Sequence, residues 1–135
     1  PYAQAVPNDS YTFIGISHPS MDTASSSIGV AVEGIGMTTT LNNAAGRAQI
    51  FTVDAGETHR VFVVNQSHAT INSLNAAFTD SRTHIIPTVD SAQFGSIRVS
   101  TVAADANTAV NNATTNNIDT FENLCMVFLL FFPFR

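Results

Sequence analysis

The sequence contains no lysine and no tryptophan, and it contains only one cysteine. Without a lysine amine, no side chain can form a Schiff base, and the chain lacks the lysine of a P-loop. Pili crosslinked by side-chain isopeptide bonds also need a lysine. The single cysteine, Cys125, excludes an intrachain disulfide and a cysteine-rich metal site. We expect Cys125 to be a small buried apolar residue, with an intermolecular disulfide as the alternative.

Positive charge is also scarce, since ten acidic residues face five basic ones and the net charge is −5. A protein that binds nucleic acid needs a basic patch that neutralises phosphates. The basic residues are instead scattered along the chain, as Arg47, Arg60, Arg82, Arg98 and Arg135. We therefore predict that the chain does not bind nucleic acid.

Neutral polar residues take the place of charges. Only 11% of the residues are charged, whereas 16 are threonine, 12 are serine and 12 are asparagine. Threonine is common in β-strands and asparagine in turns. A length of 135 residues fits one domain with a core of its own.

Short β-branched and aromatic segments alternate with turn residues along the chain. This pattern predicts strands at 11–16, 28–41, 47–54, 58–65, 83–86 and 95–103. The segment 28–41 is one long strand or two strands broken near Gly34 or Gly36. The two strands that flank the turn 55–57 predict a β-hairpin, and 68–78 predicts a strand followed by a loop. Pro87 limits its strand to an edge or an end. The fold class predicted is all-β, a single β-sandwich of the jelly-roll or immunoglobulin-like kind.

The composition divides the chain into four parts. Residues 1–8 are expected to form an N-terminal extension and residues 9–103 the β-sandwich core. Residues 104–120 are rich in asparagine and threonine, which predicts a polar linker or loop. Residues 121–135 are predicted to form an apolar C-terminal strand.

The C-terminal segment is the most unusual part of the sequence. Residues 124–134 are all apolar, but a transmembrane helix needs about 20 such residues, so no membrane span is predicted. An apolar run without alternation is typical of a strand buried on both faces. It is either the central strand of its own sandwich or a strand that fills a groove in a neighbouring copy, which is the hypothesis we favour.

The hypothesis of strand exchange names the subunit interface. The residues predicted to form it are the large apolar ones of the segment, Leu124, Met126, Val127, Phe128, Leu129, Leu130, Phe131, Phe132 and Phe134. Repeated head to tail, such an exchange does not close and forms a filament.

No motif in the sequence predicts catalysis, a metal or a cofactor. The four histidines have no diagnostic spacing, and a copper site of the cupredoxin type is excluded because no histidine follows Cys125. His59 and His68 lie near the ends of the predicted strand pair and could approach each other. Asp80 and His84 fall on one face of an extended segment, but Ser81 falls on the other, so a catalytic triad is not predicted.

Several features favour an exported protein. Ala3, Gln4 and Ala5 match the small-residue pattern that signal peptidase cleaves. Three sequons give candidate glycosylation sites at Asn8, Asn65 and Asn112.

We therefore expect a non-enzymatic structural subunit, outside the cell or at its surface, that assembles with copies of itself into a filament or surface layer. Two alternatives stay open. One is a monomeric cell-surface binding or adhesion module, and the other is a viral coat or decoration protein.

Overall fold

The computed structural model describes residues 2–19, 26–37 and 48–102, and the backbone of 126–133. The described residues form eight strands and one short 3-10 helix, Ala76–Phe78. In chain order the strands are β1 (Tyr2–Gln4), β2 (Ser10–Ser17), β3 (Ser27–Ile35), β4 (Ala48–Asp54), β5 (Thr58–Asn65), β6 (Thr83–Thr88), β7 (Phe94–Val102) and β8 (Met126–Pro133).

The strands form two packed sheets, which confirms the predicted all-β sandwich class. The first sheet has the order β1-β7-β3-β4, with all its pairs antiparallel. The second sheet has the order β6-β5-β2, and β8 pairs with β2 at its edge. Strand β6 runs parallel to β5 and lies at the other edge, as Pro87 predicts.

The predicted hairpin between β4 and β5 is wrong. Strand β4 pairs with β3 in the first sheet and β5 pairs with β2 in the second, so residues 55–57 carry the chain between the sheets. Hydrogen bonds hold this crossing: the amide of Gly56 donates to the carbonyl of His18 at 2.8 Å, and that of Ala55 to the carbonyl of Ser26 at 2.9 Å. Gly56 has φ +86°, which a glycine adopts readily.

Three further predicted segments can be compared with the described structure. Within residues 1–8, the predicted N-terminal extension, β1 pairs antiparallel with β7. The predicted linker 104–120 lies outside the described residues. Residues 68–78, predicted to begin with a strand, contain turns and the 3-10 helix instead.

The inner core lies between the two sheets and is mainly aliphatic. Alternate residues of the strands point into it, as the period of two requires. Its buried residues are Ala3, Ala5, Ile14, Ile16, Ile28, Val30, Val32, Met37, Phe51, Val53, Val61, Val63, Ile86 and Ile97.

A second apolar cluster lies on the outer face of the second sheet. There Phe62 and Val64 of β5 pack with Ile71 from the segment after that strand. Partly buried side chains surround them, namely Tyr11, Phe13, Phe78 and Ile85. The second sheet therefore has apolar residues on both faces.

Thr12 of β2 connects the two sheets at one side of the sandwich. Its fully buried hydroxyl donates to the carbonyl of Gln4 and accepts from the amide of Gln4, both at 2.9 Å. Because Gln4 ends β1, this pair of bonds ties the edge of the first sheet to the second.

Gly95 of β7 is the position where a side chain cannot fit. An added Cβ would overlap the carbonyl oxygen of Ile35 and the side chain of Met37. Met37 has flexible bonds, but the backbone of Ile35 is held in β3, so the overlap requires the strand to shift.

We predict that Gly95→Ala lowers the free energy of unfolding by about 1–3 kcal/mol, because it forces the backbone of β3 to move. Gly15→Ala in β2 is the matched control, since the nearest atom to its added Cβ is Phe13 Cε1 at 3.8 Å. Chemical denaturation followed by circular dichroism measures both. Equal losses for the two variants would contradict the packing described at Gly95.

Candidate functional site

The edge of the second sheet holds the apolar C-terminal strand. Strand β8 runs antiparallel to β2, and their register extends from Ser10 opposite Pro133 to Ser17 opposite Met126. The pairing therefore covers all eight residues of each strand. Strand β8 has no second strand beside it in the described part of the chain.

The predicted interface residues fall largely on this strand. Residues 126–132 of the predicted set lie in β8, whereas Leu124 and Phe134 lie outside the described residues. The described pairing lies within one chain. Among the described strands, β8 lies at the edge of the sheet and not at its centre, because only β2 pairs with it.

Strand β2 explains why an apolar partner suits this edge. Ile14 and Ile16 are fully buried in the inner core, whereas Tyr11 and Phe13 pack on the outer cluster. A strand beside β2 therefore extends a sheet whose two faces are both apolar. An amphipathic strand would place polar residues on one of these faces, so the lack of alternation in β8 matches its position.

Two histidines meet at the opposite side of the sandwich, where β4 and β6 are the neighbouring edge strands. His59 Nδ1 and His84 Nε2 share a hydrogen bond of 3.0 Å. The ring of Phe51 stacks on both imidazoles, with centroid distances of 3.8 Å to His84 and 5.2 Å to His59. His59 and Phe51 are buried, and His84 is partly buried.

A carboxylate and a guanidinium complete this histidine cluster, which we define as Phe51, Glu57, His59, Arg82 and His84. His59 Nε2 donates to Glu57 Oε2 at 3.3 Å, and Arg82 forms an ion pair with the other oxygen of Glu57. The side chains beside Glu57 line an open cleft of about 350 Å³.

Proton positions in the cluster follow from these contacts. The hydrogen bond from His59 chiefly lowers the pKa of Glu57, and Arg82 lowers it too, so the carboxylate is ionised at neutral pH. Burial, and then the neighbouring His59, lower the pKa of His84 to about 4 against an opposing effect of Asp80. His84 is therefore a neutral imidazole at neutral pH.

The other residues of interest have structural partners. Asp80 acts on His84 only through its charge, since Asp80 Oδ2 accepts hydrogen bonds from Arg60 Nη2 at 2.7 Å and from the hydroxyl of Thr83 at 2.6 Å. The expected approach of His59 and His68 does not occur, because His68 Nδ1 accepts from the amide of Ile71 at 2.9 Å. Among the described residues, no three histidine, cysteine, aspartate or glutamate side chains are arranged to hold a metal ion.

The sequons lie in different surroundings. Asn8 is exposed in a turn, where its Oδ1 accepts from the amide of Ala69 at 2.8 Å. Asn65 is buried with 1% exposure, so a glycan on its nitrogen would have to displace the packing around the end of β5. Asn112 lies outside the described residues.

No protein-family model, curated protein or solved structure matches the chain. Across the described ranges, no helix has the length and apolar character needed to cross a membrane. The function has therefore to be inferred from the geometry of the chain itself.

We predict that Phe51→Ala lowers the free energy of unfolding by about 3–5 kcal/mol, because it leaves a cavity in the inner core and removes the ring between the sheets. Phe94→Ala makes the same chemical change at a ring that is 55% exposed, and should lose less than about 1 kcal/mol. Urea denaturation compares the two variants. A loss at Phe51 as small as that at Phe94 would contradict its role in the core.

Proposed function

We propose that the protein is an exported, non-enzymatic structural subunit that assembles with copies of itself into a filament or surface layer by exchanging β8. One observation carries the proposal: an apolar strand pairs over its full length with β2 at the edge of a sheet. In the assembly, β8 of one copy would take this same place in the next copy.

The position at an edge favours exchange over a fixed central strand. A central strand has hydrogen-bonded neighbours on both sides, and its departure would break two ladders. Among the described strands, departure of β8 breaks only the ladder to β2 and leaves β5 and β6 in place. The vacated edge of β2 would expose unpaired backbone groups, which favours its being filled by the same strand from another copy.

The length of chain before β8 permits such an exchange. Strand β7 ends at Val102 and β8 begins at Met126, so residues 103–125 connect them. A fully extended segment of this length reaches at most about 75–80 Å, which is more than the width of a small domain. The donor strand can therefore reach a neighbouring copy.

The energetics make the choice between chains sensitive to concentration. Burial of each large apolar side chain stabilises the pairing by roughly 1.5–3 kcal/mol, whether the strand comes from the same chain or from another. The exchanged and unexchanged forms thus contain the same contacts. Their balance depends on the connecting segment and on the concentration of the chain, as in domain swapping.

The composition supports close packing of subunits outside the cell. Only 11% of the residues are charged, so neighbouring copies approach each other with little repulsion between like charges. The hydroxyl and amide groups on the surface can form hydrogen bonds between subunits.

A monomeric binding module is the second candidate, and exposed aromatic side chains favour it. On the first sheet, Tyr2 and Phe94 are 53% and 55% exposed and stack with a centroid distance of 6.4 Å. Ile35, which is 42% exposed, lies opposite Ser96 on the neighbouring strand. Such a cluster is a typical surface for a ligand or receptor.

We predict that the full chain forms polymers and that a chain stopped after Asn123 remains folded and monomeric. A separate peptide of residues 124–135 should bind the shortened chain one to one, because it restores the strand that pairs with β2. Light scattering and negative-stain microscopy measure assembly, and circular dichroism measures folding.

A point variant of the full chain controls for the effect of truncation. Leu129→Pro removes a backbone donor opposite Ile14 and should abolish assembly, whereas Thr115→Pro in the predicted linker should not. If the full chain is monomeric and truncation unfolds it, β8 belongs to its own sandwich. That outcome would contradict exchange and favour the binding module.

A further inference from the structure

The histidine cluster closes the side of the sandwich where β4 of the first sheet meets β6 of the second. Gln49 Nε2 donates to the carbonyl of Ile85 at 3.0 Å and directly joins these two strands. Beside it, the ring of Phe51 from β4 stacks almost parallel on His84 from β6, at an angle of 9°. The His59–His84 hydrogen bond supports the stack from β5.

The hydrogen bond between the imidazoles can hold only one proton. His59 Nε2 carries a proton because it donates to the carboxylate of Glu57. If His59 is neutral, its Nδ1 accepts from His84 Nε2. If His59 is protonated, its Nδ1 donates to His84 Nε2. In either case one nitrogen must be unprotonated, because two N–H groups cannot face each other at 3.0 Å.

The charges around the pair do not remove this conflict. Glu57 compensates one charge on His59 but is shared with Arg82. Asp80, which attracts a proton to His84, is shared with Arg60 of β5. From β4, the ring of Phe51 brings no charge to either imidazole, whereas the carboxyl group of Asp54 lines the same cleft as Glu57 and His59. A second proton on the pair therefore creates two adjacent cations with incomplete compensation.

We propose that His59 and His84 form an acid-operated latch, in which double protonation separates the imidazoles and opens the sandwich between β4 and β6. The latch does not depend on strand exchange, because it lies at the other edge of the second sheet from β8. Opening would expose Phe51, which is 7% exposed in the closed form.

The direction of the pH effect follows from the protonation of His84. The pKa of this imidazole is about 4 in the closed form, below the ordinary value of 6.5 that it regains when the latch opens. The open form therefore binds more protons between these two values, and closure weakens as the pH falls through this window. Above pH 6.5 His84 is mostly neutral in both forms, so the pH has little further effect on closure.

Hydrogen exchange measured by mass spectrometry on the full chain tests the latch. Protection of peptides from β4 and β6 should fall by on the order of a hundredfold between pH 6.5 and 4 after correction for intrinsic exchange rates. Peptides from β3 should keep their protection and serve as an internal reference. Loss of protection in β3 at the same pH would mean global unfolding and overturn the proposal.

Three variants assign the effect to the pair. His84→Gln keeps an amide that can donate to His59 Nδ1 but does not titrate, and it should reduce the change in β4 and β6 to less than about twofold. His84→Phe keeps the stack on Phe51 without a titrating group and should behave alike, which covers the case that one variant does not fold. His68→Gln, the matched control, should retain the acid response of the unmodified chain. An unchanged response in both His84 variants would overturn the proposal.

Discussion

The second sheet has apolar residues on both of its faces, and most other parts of the structure cover these two faces. The first sheet covers the inner face, where Ile14 and Val61 lie. Ile71 and Phe78, in the segment that follows β5, cover the outer face. The backbone of β2 would still be unpaired on the side away from β5, and β8 pairs with it there. A strand that alternated apolar and polar residues would continue only one of the two apolar faces. The apolar composition of β8 therefore suits the sheet that it joins.

The sequence predicts strands better than it predicts their partners. A period of two shows that residues 47–54 and 58–65 are extended, but it does not show whether they pair. The predicted hairpin fails because residues 55–57 are bound to the ends of β2 and β3, contacts that no local pattern contains. Likewise, the local sequence does not show that Ile71 lies in a bend and not in a strand. Its burial depends on the outer face of a sheet that is formed by residues distant in the sequence.

In the candidate sites, too, the sequence predicts local structure but not which residues come together. The apolar run predicts a C-terminal strand over residues 121–135, yet the place of this strand at an edge depends on the topology of the whole sheet. The sequence suggests His59 with His68, whereas the structure brings together His59 and His84. Parallel pairing of β5 with β6 places them side by side, and parallel pairing leaves no short turn in the sequence to signal it. The alternation of Asp80 and His84 predicts one extended segment, but residues 80–82 form a bend and a turn before β6, in which the amide of Thr83 donates to the carbonyl of Asp80.

The free edge of β6 differs from the edge of the second sheet at which β8 pairs with β2. The carbonyls of Arg82 and Thr88 accept from β5 and from the residue after it, so the backbone groups of the odd-numbered residues face outwards. The amide of Thr83 donates to Asp80, the carbonyl of Ile85 accepts from Gln49, and Pro87 has no amide hydrogen. This edge has few groups left to pair with another strand. The second sheet thus has two unlike edges: in the described part of the chain, the β6 edge offers a further strand fewer free backbone groups than the edge at which β8 pairs with β2.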